Sequence, residues 1–316
     1  MKLSKDFKEI KGDASIRKFY RNTKKNSIIV FANKEKIKNL LIYDSINKIL
    51  IKNNIIAPKL FSQNYKKNYI EIQDLGNKTI YQLFVNHNKN HYLIFKKVIN
   101  VLNNIQLIRD KKIKNFRNKF YKIKDYKKKI LFDETRLFSD WYVPKKLTKK
   151  KINKFNNQFN KEIRLLLSKL NFRNDTFVHR DFHVSNLIIN SKKQIGLIDN
   201  QDALIGNKAY DLASLIDDVR YKTSNSLKDK AYNYYLKTNK KVDVDKFKND
   251  FDILSVLRNL KIIGIFMRLA ERDKKKKYLK LIPYAWKMID NRMSKNQVLD
   301  SLKLLLISNF PKFLTK

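Results

Sequence analysis

The sequence predicts an α+β fold of two lobes, a small β-rich N-terminal lobe and a mainly helical C-terminal lobe. Short apolar stretches at residues 27–32 and 69–73 have the pattern of β-strands. From about residue 78 onward, apolar residues recur mostly at helical spacing. Between these parts, residues 74–77 read Asp-Leu-Gly-Asn, which is a turn signal. We therefore expect one lobe over residues 1–75 and the other over residues 76–316, with a hinge at the turn.

The pattern of apolar residues also predicts the individual elements. In the N-terminal lobe it predicts a helix over residues 36–51. In the C-terminal lobe it predicts helices over residues 92–108, 152–170, 210–219, 251–269 and 298–307. One part of this lobe is predicted to form strands and not a helix. Two short apolar runs, at residues 187–189 and 195–198, flank Ser-Lys-Lys as the strands of a hairpin would. Polar residues cluster beside both runs, and we expect chemistry there.

Composition excludes several classes of protein. A chain of 316 residues with 43% hydrophobic and 12% aromatic residues can build real cores, so a disordered protein is excluded. No apolar run approaches the roughly 18 to 20 residues that span a bilayer, and the N-terminus lacks the apolar segment of an export signal. The absence of cysteine leaves no disulfide framework. We expect a cytoplasmic protein without a membrane partner. Its oligomeric state is open, and a monomer is compatible with the sequence.

The net charge of +42 would ordinarily suggest a nucleic-acid partner. The lysines, however, occur throughout the chain together with abundant Asn and Ile, as a coding bias would produce, and they do not mark one tail or stripe. Runs of like charge are usually solvated surface. We therefore expect no specific nucleic-acid partner. A functional polyanion site, or a basic RNA-binding module without catalysis, remains the alternative.

One segment carries the strongest chemical signal. It reads H-R-D-x-x-x-x-N from His179 to Asn186, and Asp199 follows the second apolar run. Phosphoryl transfer requires a carboxylate that orients the attacking hydroxyl, and oxygen ligands that hold Mg²⁺ against the phosphates. Asp181 suits the first role, whereas Asn186 and Asp199 suit the second. The pattern resembles the catalytic loop of protein kinases and predicts a phosphotransferase that uses ATP and Mg²⁺.

The two histidines of this segment allow another interpretation. His179 and His183 are spaced as in zinc-binding helices, but Arg180 breaks the H-E-x-x-H pattern and no third ligand is evident. A metal hydrolase is therefore the weaker reading. We expect His179 to support the catalytic loop through hydrogen bonds and not to act as the base.

Beyond this segment the chain does not resemble a protein kinase, since it lacks D-F-G, A-P-E and a glycine-rich loop. Ile198-Asp199 followed by Tyr210-Asp211-Leu212-Ala213 instead resembles the aminoglycoside phosphotransferase and choline kinase superfamily. Within it, the chain is most similar to the bacterial kinases that phosphorylate N-acetylmuramate and N-acetylglucosamine at the anomeric hydroxyl in cell-wall recycling. The residues that carry this second likeness are 12–21, 73–76, 140–142, 178–186, 199–203 and 261–278.

The resemblance implies a two-lobed, protein-kinase-like fold with ATP bound between the lobes. Kinases of this superfamily carry a phosphate-binding lysine on the third strand, but residues 28–32 contain none. We expect Arg17 to take that role, with Arg21, Lys24, Lys25 or Lys34 as alternatives. The small residues of the segment Asp13, Ala14 and Ser15 are expected to replace the glycine-rich loop, because they let backbone N–H groups approach phosphate.

The remaining site residues are expected in the C-terminal part. Asp211 is expected to brace the catalytic loop, and it can also cap its helix. The candidates for substrate binding are Asp202, Trp141 and Arg268, for a hydroxyl, a sugar face and a carboxylate respectively. Asp202 could instead cap a turn, and Trp141 could pack in the core. Arg258 could bind the carboxylate in place of Arg268. Either arginine could also simply pair with a neighbouring acidic side chain.

The choice of an amino sugar rests on the resemblance alone. A choline, ethanolamine or aminoglycoside kinase is the alternative within the same chemistry. Those cationic substrates call for clustered acids, whereas residues 251–278 carry more Lys and Arg than Asp and Glu.

Overall fold

The computed structural model describes residues 5–10, 17–32, 37–86 and 90–314. The chain divides into two compact units, one of residues 1–124 and 176–205 and the other of residues 125–175 and 206–316. The segment with the H-R-D-x-x-x-x-N pattern therefore belongs to the first unit. The division of function at residue 75 stays a prediction.

An antiparallel sheet of five strands forms the base of the first unit. Its strands, in the spatial order β1-β2-β3-β5-β4, are β1 (Phe7–Ile10), β2 (Lys18–Asn22), β3 (Ser27–Phe31), β4 (Leu60–Asn64) and β5 (Tyr69–Gln73). Helix α1 (Ile37–Lys52) contributes Leu40 and Tyr43 to the core that the sheet forms with Val30, Ile70 and Ile72. β-branched residues favour the pleated, buried surface of the central strands.

The rest of the first unit consists of two helices and three pairs of short strands. The helices are α2 (Ile80–Asn86) and α3 (His91–Gln106). The strand pairs are β6 (Lys112–Lys114) with β7 (Phe120–Lys122), β8 (Thr176–Val178) with β11 (Leu204–Gly206), and β9 (Leu187–Ile189) with β10 (Ile195–Leu197). The predicted hairpin is thus confirmed as β9–β10, which is antiparallel.

Gly196 in the middle of β10 lies in a closely packed position. A Cβ atom at this position would lie 3.0 Å from side-chain atoms of both Ile56 and Leu75. Strand β10 also pairs with Ile56 in a parallel bridge, and Leu197 N donates to Ile56 O at 2.8 Å. These contacts fix the strand that leads to Asp199.

The second unit is helical. Its helices are α4 (Lys128–Thr135), α5 (Lys149–Ser168), α6 (Ala209–Ile216), α7 (Asn225–Thr238), α8 (Val244–Glu271), α9 (Ile282–Met293), α10 (Asp300–Asn309) and α11 (Pro311–Leu314). Helix α8 is central, and every residue from 251 to 260 is buried. A π-helical turn, Phe138–Tyr142, packs on α8 and joins an aromatic cluster with Trp286 and Phe310.

The predicted helices are all present, but several boundaries differ. Helix α8 begins at Val244 and not near residue 251, because Asp243 caps it by accepting a hydrogen bond from Lys246 N. The pattern of apolar residues did not predict helices α2, α4, α7, α9 and α11 or strands β1, β2, β4, β6, β7, β8 and β11. Within the described ranges, no helix is both long enough and apolar enough to cross a membrane.

Candidate active site

The loop between β8 and β9 holds Asp181 and Asn186 in a fixed arrangement. The Asp181 carbonyl accepts hydrogen bonds from His183 N at 3.0 Å and from Asn186 Nδ2 at 3.1 Å. Arg180, directly before Asp181, has a φ of 74°. A residue with a side chain rarely adopts this left-handed conformation, which often occurs at functional sites where the surroundings enforce it.

His179 is completely buried and lies behind this loop. Its Nε2 is 2.8 Å from Asn200 Oδ1 and 3.2 Å from Ile198 O. Both partners present oxygen acceptors, because the Asn200 amide nitrogen donates to Leu197 O and to Asn47 Oδ1. Nε2 therefore carries the proton and is committed to these oxygens. This geometry agrees with the expected supporting role of His179.

Asn200 is a residue that the sequence analysis missed as part of the site. It is completely buried, and its side chain connects the His179 ring to Asn47 on α1. A fully buried amide must satisfy its hydrogen bonds within the protein. A polar residue directly after Ile198-Asp199 was the only available signal, and its partner on α1 lies 153 residues away in the sequence.

Asp199 follows β10 and begins the short helical turn Asn200–Asp202, with a φ of 63°. Its Oδ1 accepts from Arg17 Nη2 at 2.9 Å and from Gln201 Nε2 at 3.2 Å. Burial raises the pKa of the Asp199 carboxyl, the Arg17 charge opposes this rise, and the charges of Asp181 and Asp202 add to it. The Asp199 side chain still exposes 38% of its surface, so part of it remains accessible to solvent although much protein surrounds it.

Arg17 is held in place from several directions. Its side chain exposes only 9% of its surface, and its Nη1 donates to Asn39 Oδ1 at 3.2 Å. The guanidinium carbon lies 5.9 Å from the Phe19 ring centre and 5.8 Å from that of Tyr43. Such cation–π contacts stabilise a cation that has lost water. The structure thus places a fixed positive charge beside Asp199.

The structure describes only some of the other groups that were expected to bind phosphate. The segment Asp13, Ala14 and Ser15 lies outside the described residues, as does Lys34. Lys24 forms an exposed ion pair with Asp6 at 2.9 Å. Arg17 is therefore the candidate cation that the structure brings to Asp199.

The donor atoms of Asn186 and Asp199 fit a magnesium ion. The Asn186 amide nitrogen donates to Asp181 O and lies 3.4 Å from His183 Nε2, so the amide oxygen is the atom of this side chain that can serve as a metal ligand. Amide and carboxylate oxygens are the ligands that Mg²⁺ prefers, and phosphates usually complete its shell. No group of three His, Cys, Asp or Glu side chains in the described ranges is arranged to hold a metal ion.

A second ion pair fixes the predicted hinge segment. Arg21 Nη2 donates to Asp74 Oδ1 at 3.1 Å and to Gly76 O at 3.2 Å, and Arg21 Nε donates to Asp74 Oδ2. Gly76 has a φ of 99°, a conformation in which glycine is strongly favoured. Arg21 thus connects β2 to the chain after β5, a contact that the sequence analysis did not identify.

The tentative residues Asp202 and Asp211 have distinct environments. Asp202 is exposed, its carbonyl accepts from Arg180 Nη1 at 3.0 Å, and its Oδ2 accepts from Gln201 Nε2 at 2.7 Å. Asp211, in the second unit, is completely buried in the first turn of α6. The N-cap position of this helix is Lys208, whose side chain makes no capping hydrogen bond, and the supporting role of Asp211 stays a prediction.

The two remaining candidates, Trp141 and Arg268, also belong to the second unit. Trp141 is partly exposed, whereas its neighbour Tyr142 is buried in the aromatic cluster and accepts a hydrogen bond from Trp286 Nε1 at 3.2 Å. Arg268 lies partly buried on α8, and burial together with the Arg272 charge lowers its pKa. An anion beside Arg268 would relieve this repulsion.

Comparison with known proteins finds a matching family and similar kinases. The phosphotransferase enzyme family matches residues 6–243. The chain is 25% identical over 303 residues to the N-acetylmuramate/N-acetylglucosamine kinase of Pseudomonas aeruginosa, covering 94% of this chain and 86% of the relative. It is 26% identical over 281 residues to the kinase of the same name from Neisseria meningitidis, covering 86% of this chain and 80% of the relative.

Solved structures of the same fold come from related kinases. A choline kinase from Streptococcus pneumoniae superposes with a TM-score of 0.62 at 13% identity, covering 90% of this chain and 93% of that chain. An ADP-bound aminoglycoside phosphotransferase superposes with a TM-score of 0.61 at 14% identity, covering 90% and 94%. The expected two-lobed fold class is thereby confirmed.

Proposed function

Because the chain belongs to the phosphotransferase enzyme family, it is an ATP-dependent kinase that acts on a hydroxyl group, and we propose that this hydroxyl is the anomeric one of N-acetylmuramate or N-acetylglucosamine. The observation that supports the chemistry is the cluster of Asp181, Asn186, Asp199 and Arg17 within one unit. The likeness to two kinases named for these sugars supports the substrate.

In the proposed mechanism, Asp181 orients the sugar hydroxyl and accepts its proton. As the proton leaves, the hydroxyl oxygen forms a bond to the γ-phosphorus, and the bond from that phosphorus to the bridging oxygen of ADP breaks in line. The products are a sugar 1-phosphate and ADP. Positioning supplies much of the rate, because the two reactants are held as in an intramolecular reaction.

Other residues of the first unit manage charge in this proposal. Asn186 and Asp199 would hold Mg²⁺, which when bound would neutralise negative charge on the phosphates. Arg17 is proposed to bind the phosphates through its guanidinium, and the segment Asp13, Ala14 and Ser15 is proposed to contribute backbone N–H groups. His179 keeps the catalytic loop in place through Asn200.

The proposed division of labour assigns ATP binding to residues 1–75 and catalysis with substrate binding to residues 76–316. Within the latter, Asp211 supports the catalytic loop. Asp202, Trp141 and Arg268 are proposed as individual substrate contacts for a hydroxyl, a sugar ring and a carboxylate. The product would serve nucleotide-sugar synthesis in peptidoglycan recycling.

The test is ATP consumption measured with N-acetylmuramate, N-acetylglucosamine, choline, ethanolamine and kanamycin, each with Mg²⁺, followed by NMR of the product. We expect turnover of at least one amino sugar and a phosphate on C1. Phosphorylation at C6, or turnover of choline without turnover of either amino sugar, would contradict the proposal that the acceptor is the anomeric hydroxyl of an amino sugar. Either result would leave the kinase assignment in place.

A further inference from the structure

Helix α1 carries three polar residues on one face. Asn39, Tyr43 and Asn47 follow one another at intervals of four residues, which places them one above the other on a helix. Asn39 Oδ1 accepts from Arg17 Nη1 at 3.2 Å, and the Tyr43 ring centre lies 5.8 Å from the Arg17 guanidinium carbon. The first two residues therefore hold the cation that pairs with Asp199. The proposed reaction leaves the third residue, Asn47, without a role.

Asn47 connects this face of α1 to the turn that follows Asp199. It is 3% exposed, and its Oδ1 accepts from Asn200 Nδ2 at 2.8 Å. Asn200 is completely buried, and its Nδ2 also donates to Leu197 O at 3.1 Å. Because both acceptors lie on the side of Nδ2, the Asn200 amide has one orientation, with its oxygen directed to His179.

The same turn, residues 200–202, holds the catalytic loop at two points. Asn200 Oδ1 lies 2.8 Å from His179 Nε2, and the Asp202 carbonyl accepts from Arg180 Nη1 at 3.0 Å. His179 and Arg180 directly precede Asp181. A displacement of the turn would therefore displace the carboxylate that is proposed to orient the acceptor hydroxyl.

The polar character of this path suits orientation more than stability. Two buried amides in contact gain little over apolar side chains of the same shape, because both lose hydrogen bonds with water on folding. A hydrogen bond does, however, fix the distance and the direction between its partners. Phosphoryl transfer depends on such accuracy, since a misplacement of about 1 Å can lower a rate by about 10².

We propose that Asn47 is a positioning residue for phosphoryl transfer. Through Asn200 it fixes the catalytic loop, and hence Asp181, relative to the helix that also holds Arg17. Helix α1 thereby aligns the catalytic carboxylate with the phosphate-binding cation. This inference rests on the proposed function, because it takes Asp181 as the carboxylate that orients the hydroxyl.

The test is Asn47→Leu, which keeps the approximate shape of the side chain and removes the acceptor for Asn200. We expect kcat per ADP-binding site to fall at least about tenfold on whichever amino sugar the wild type phosphorylates, because alignment in the transition state is lost. The KM for the sugar and the Kd for ADP should stay within about twofold. Isothermal titration calorimetry gives the number of ADP-binding sites and so corrects for any loss of folded protein.

Asn53→Leu is the matched control. Asn53 directly follows α1, and its Nδ2 donates to Asp110 Oδ2 at 3.0 Å, so this variant also removes a long-range hydrogen bond beside the helix. Its kcat per site should stay within about twofold of the wild-type value. A folded Asn47→Leu protein within the same limit, or an equal loss of activity in Asn53→Leu, would overturn the proposal. If Asn47→Leu does not fold, Asn47→Ala, which removes the acceptor without adding bulk, takes its place.

A double variant tests the path through Asn200. Because Asn47 and Asn200 act through the same contact, adding Asn47→Leu to Asn200→Leu should lower kcat by less than about a further twofold. Effects of the two substitutions that multiply would overturn this path.

An NMR measurement separates this inference from the proposed function, because it needs no substrate. The ring resonances of His179 should shift in Asn47→Leu and stay unchanged in Asn53→Leu, since Asn200, the partner of His179 Nε2, loses a contact that orients it. Unchanged His179 resonances in Asn47→Leu would overturn the inference. A wild type that phosphorylates neither amino sugar would instead count against the proposed function, and the NMR comparison would still decide whether Asn47 acts on the catalytic loop.

Discussion

Arg17 is the residue that we propose as the replacement for the lysine that strand β3 lacks. Strand β3 contains no lysine, yet a buried guanidinium reaches Asp199 from residue 17 and is fixed by Asn39, Phe19 and Tyr43. Arginine keeps its charge when buried and presents a planar fork that suits phosphate. These properties make Arg17 the residue whose substitution should separate nucleotide binding from folding.

We expect Arg17→Gln to weaken ATP binding by about tenfold or more, because a charged hydrogen bond to phosphate contributes about 1.5 to 3 kcal/mol. The measurement is the Kd for ADP and ATP by calorimetry, with Mg²⁺ present. Lys24→Gln is the matched control, since Lys24 is an exposed cation of the same unit, and its side chain is 74% exposed. Equal nucleotide affinity in both variants would refute the role of Arg17.

Individual residues also show which parts of the site can be predicted from the sequence and which cannot. Asp181, Asn186 and Asp199 were identifiable because their spacing is local and tied to two short strands. Asn200 and the Arg21–Asp74 pair were not, because their partners lie 153 and 53 residues away. Hydrogen-bond partners that meet only through folding leave no periodic signal in the sequence.

At the scale of elements, helix α8 depends on close approach to the π-helical turn. A Cβ atom on Gly264 would lie 2.2 Å from the Leu137 carbonyl carbon, far inside van der Waals contact. The helical pattern of α8 was predicted from the sequence, but this need for glycine was not. The close approach makes Gly264 a determinant of how the second unit packs.

We therefore expect Gly264→Ala to destabilise the protein by about 1 to 3 kcal/mol, as overpacking does. In an open helix the same change would stabilise by about 0.5 to 1 kcal/mol, so the sign of the effect is diagnostic. Chemical denaturation provides the measurement, and Gly264→Val should be worse than Gly264→Ala. A stabilised Gly264→Ala protein would show that the packing is looser than described.

A buried charge network connects several helices of the second unit. Asp217, at the end of α6, pairs with Arg292 of α9 at 2.8 Å and Lys228 of α7 at 2.9 Å, and accepts from Ser255 of α8 at 2.6 Å. Burial alone would raise the pKa of Asp217, but the charges of Arg292 and Lys228 and the hydrogen bonds from Arg292 and Ser255 outweigh it and hold the pKa well below its usual range.

Removing the charge of Asp217 should leave the buried Lys228 without its carboxylate partner and Arg292 with only Asp252, at 3.6 Å, among the described residues. We expect Asp217→Asn to lower the free energy of unfolding by about 3 to 5 kcal/mol near neutral pH. The control Asp133→Asn breaks an exposed i,i+4 pair with Lys129 and should cost less than about 1 kcal/mol. Denaturation curves of both variants provide the comparison, and equal costs would contradict the importance of the network.

The same network predicts the direction of a pH effect. Because the folded pKa of Asp217 is lower than the unfolded one, its contribution to stability is present above the ordinary Asp range and is lost as pH falls below about 4. The difference in unfolding free energy between wild type and Asp217→Asn should therefore shrink in acid. A difference that stays constant from pH 7 to pH 3 would contradict this assignment.

For the whole molecule, the sequence predicted the fold class and the class of reaction, whereas the division into lobes at residue 75 stays a prediction. In the structure, residues 176–205 form one compact unit with residues 1–124. Periodicity reports which face of an element is buried, and it cannot report which neighbours bury it. The motif residues nevertheless lie together because β8, β9 and β10 return the chain to that unit.

The central claim is that Asp181 is the catalytic carboxylate of an amino-sugar kinase. The most direct test compares kcat for N-acetylmuramate and N-acetylglucosamine in wild type and Asp181→Asn, with circular dichroism and the thermal midpoint as checks of folding. We expect an active wild type and a folded Asp181→Asn protein whose kcat is reduced by about 10² or more, the lower range for loss of a general base. A folded Asp181→Asn protein with a kcat near that of the wild type would contradict the claim.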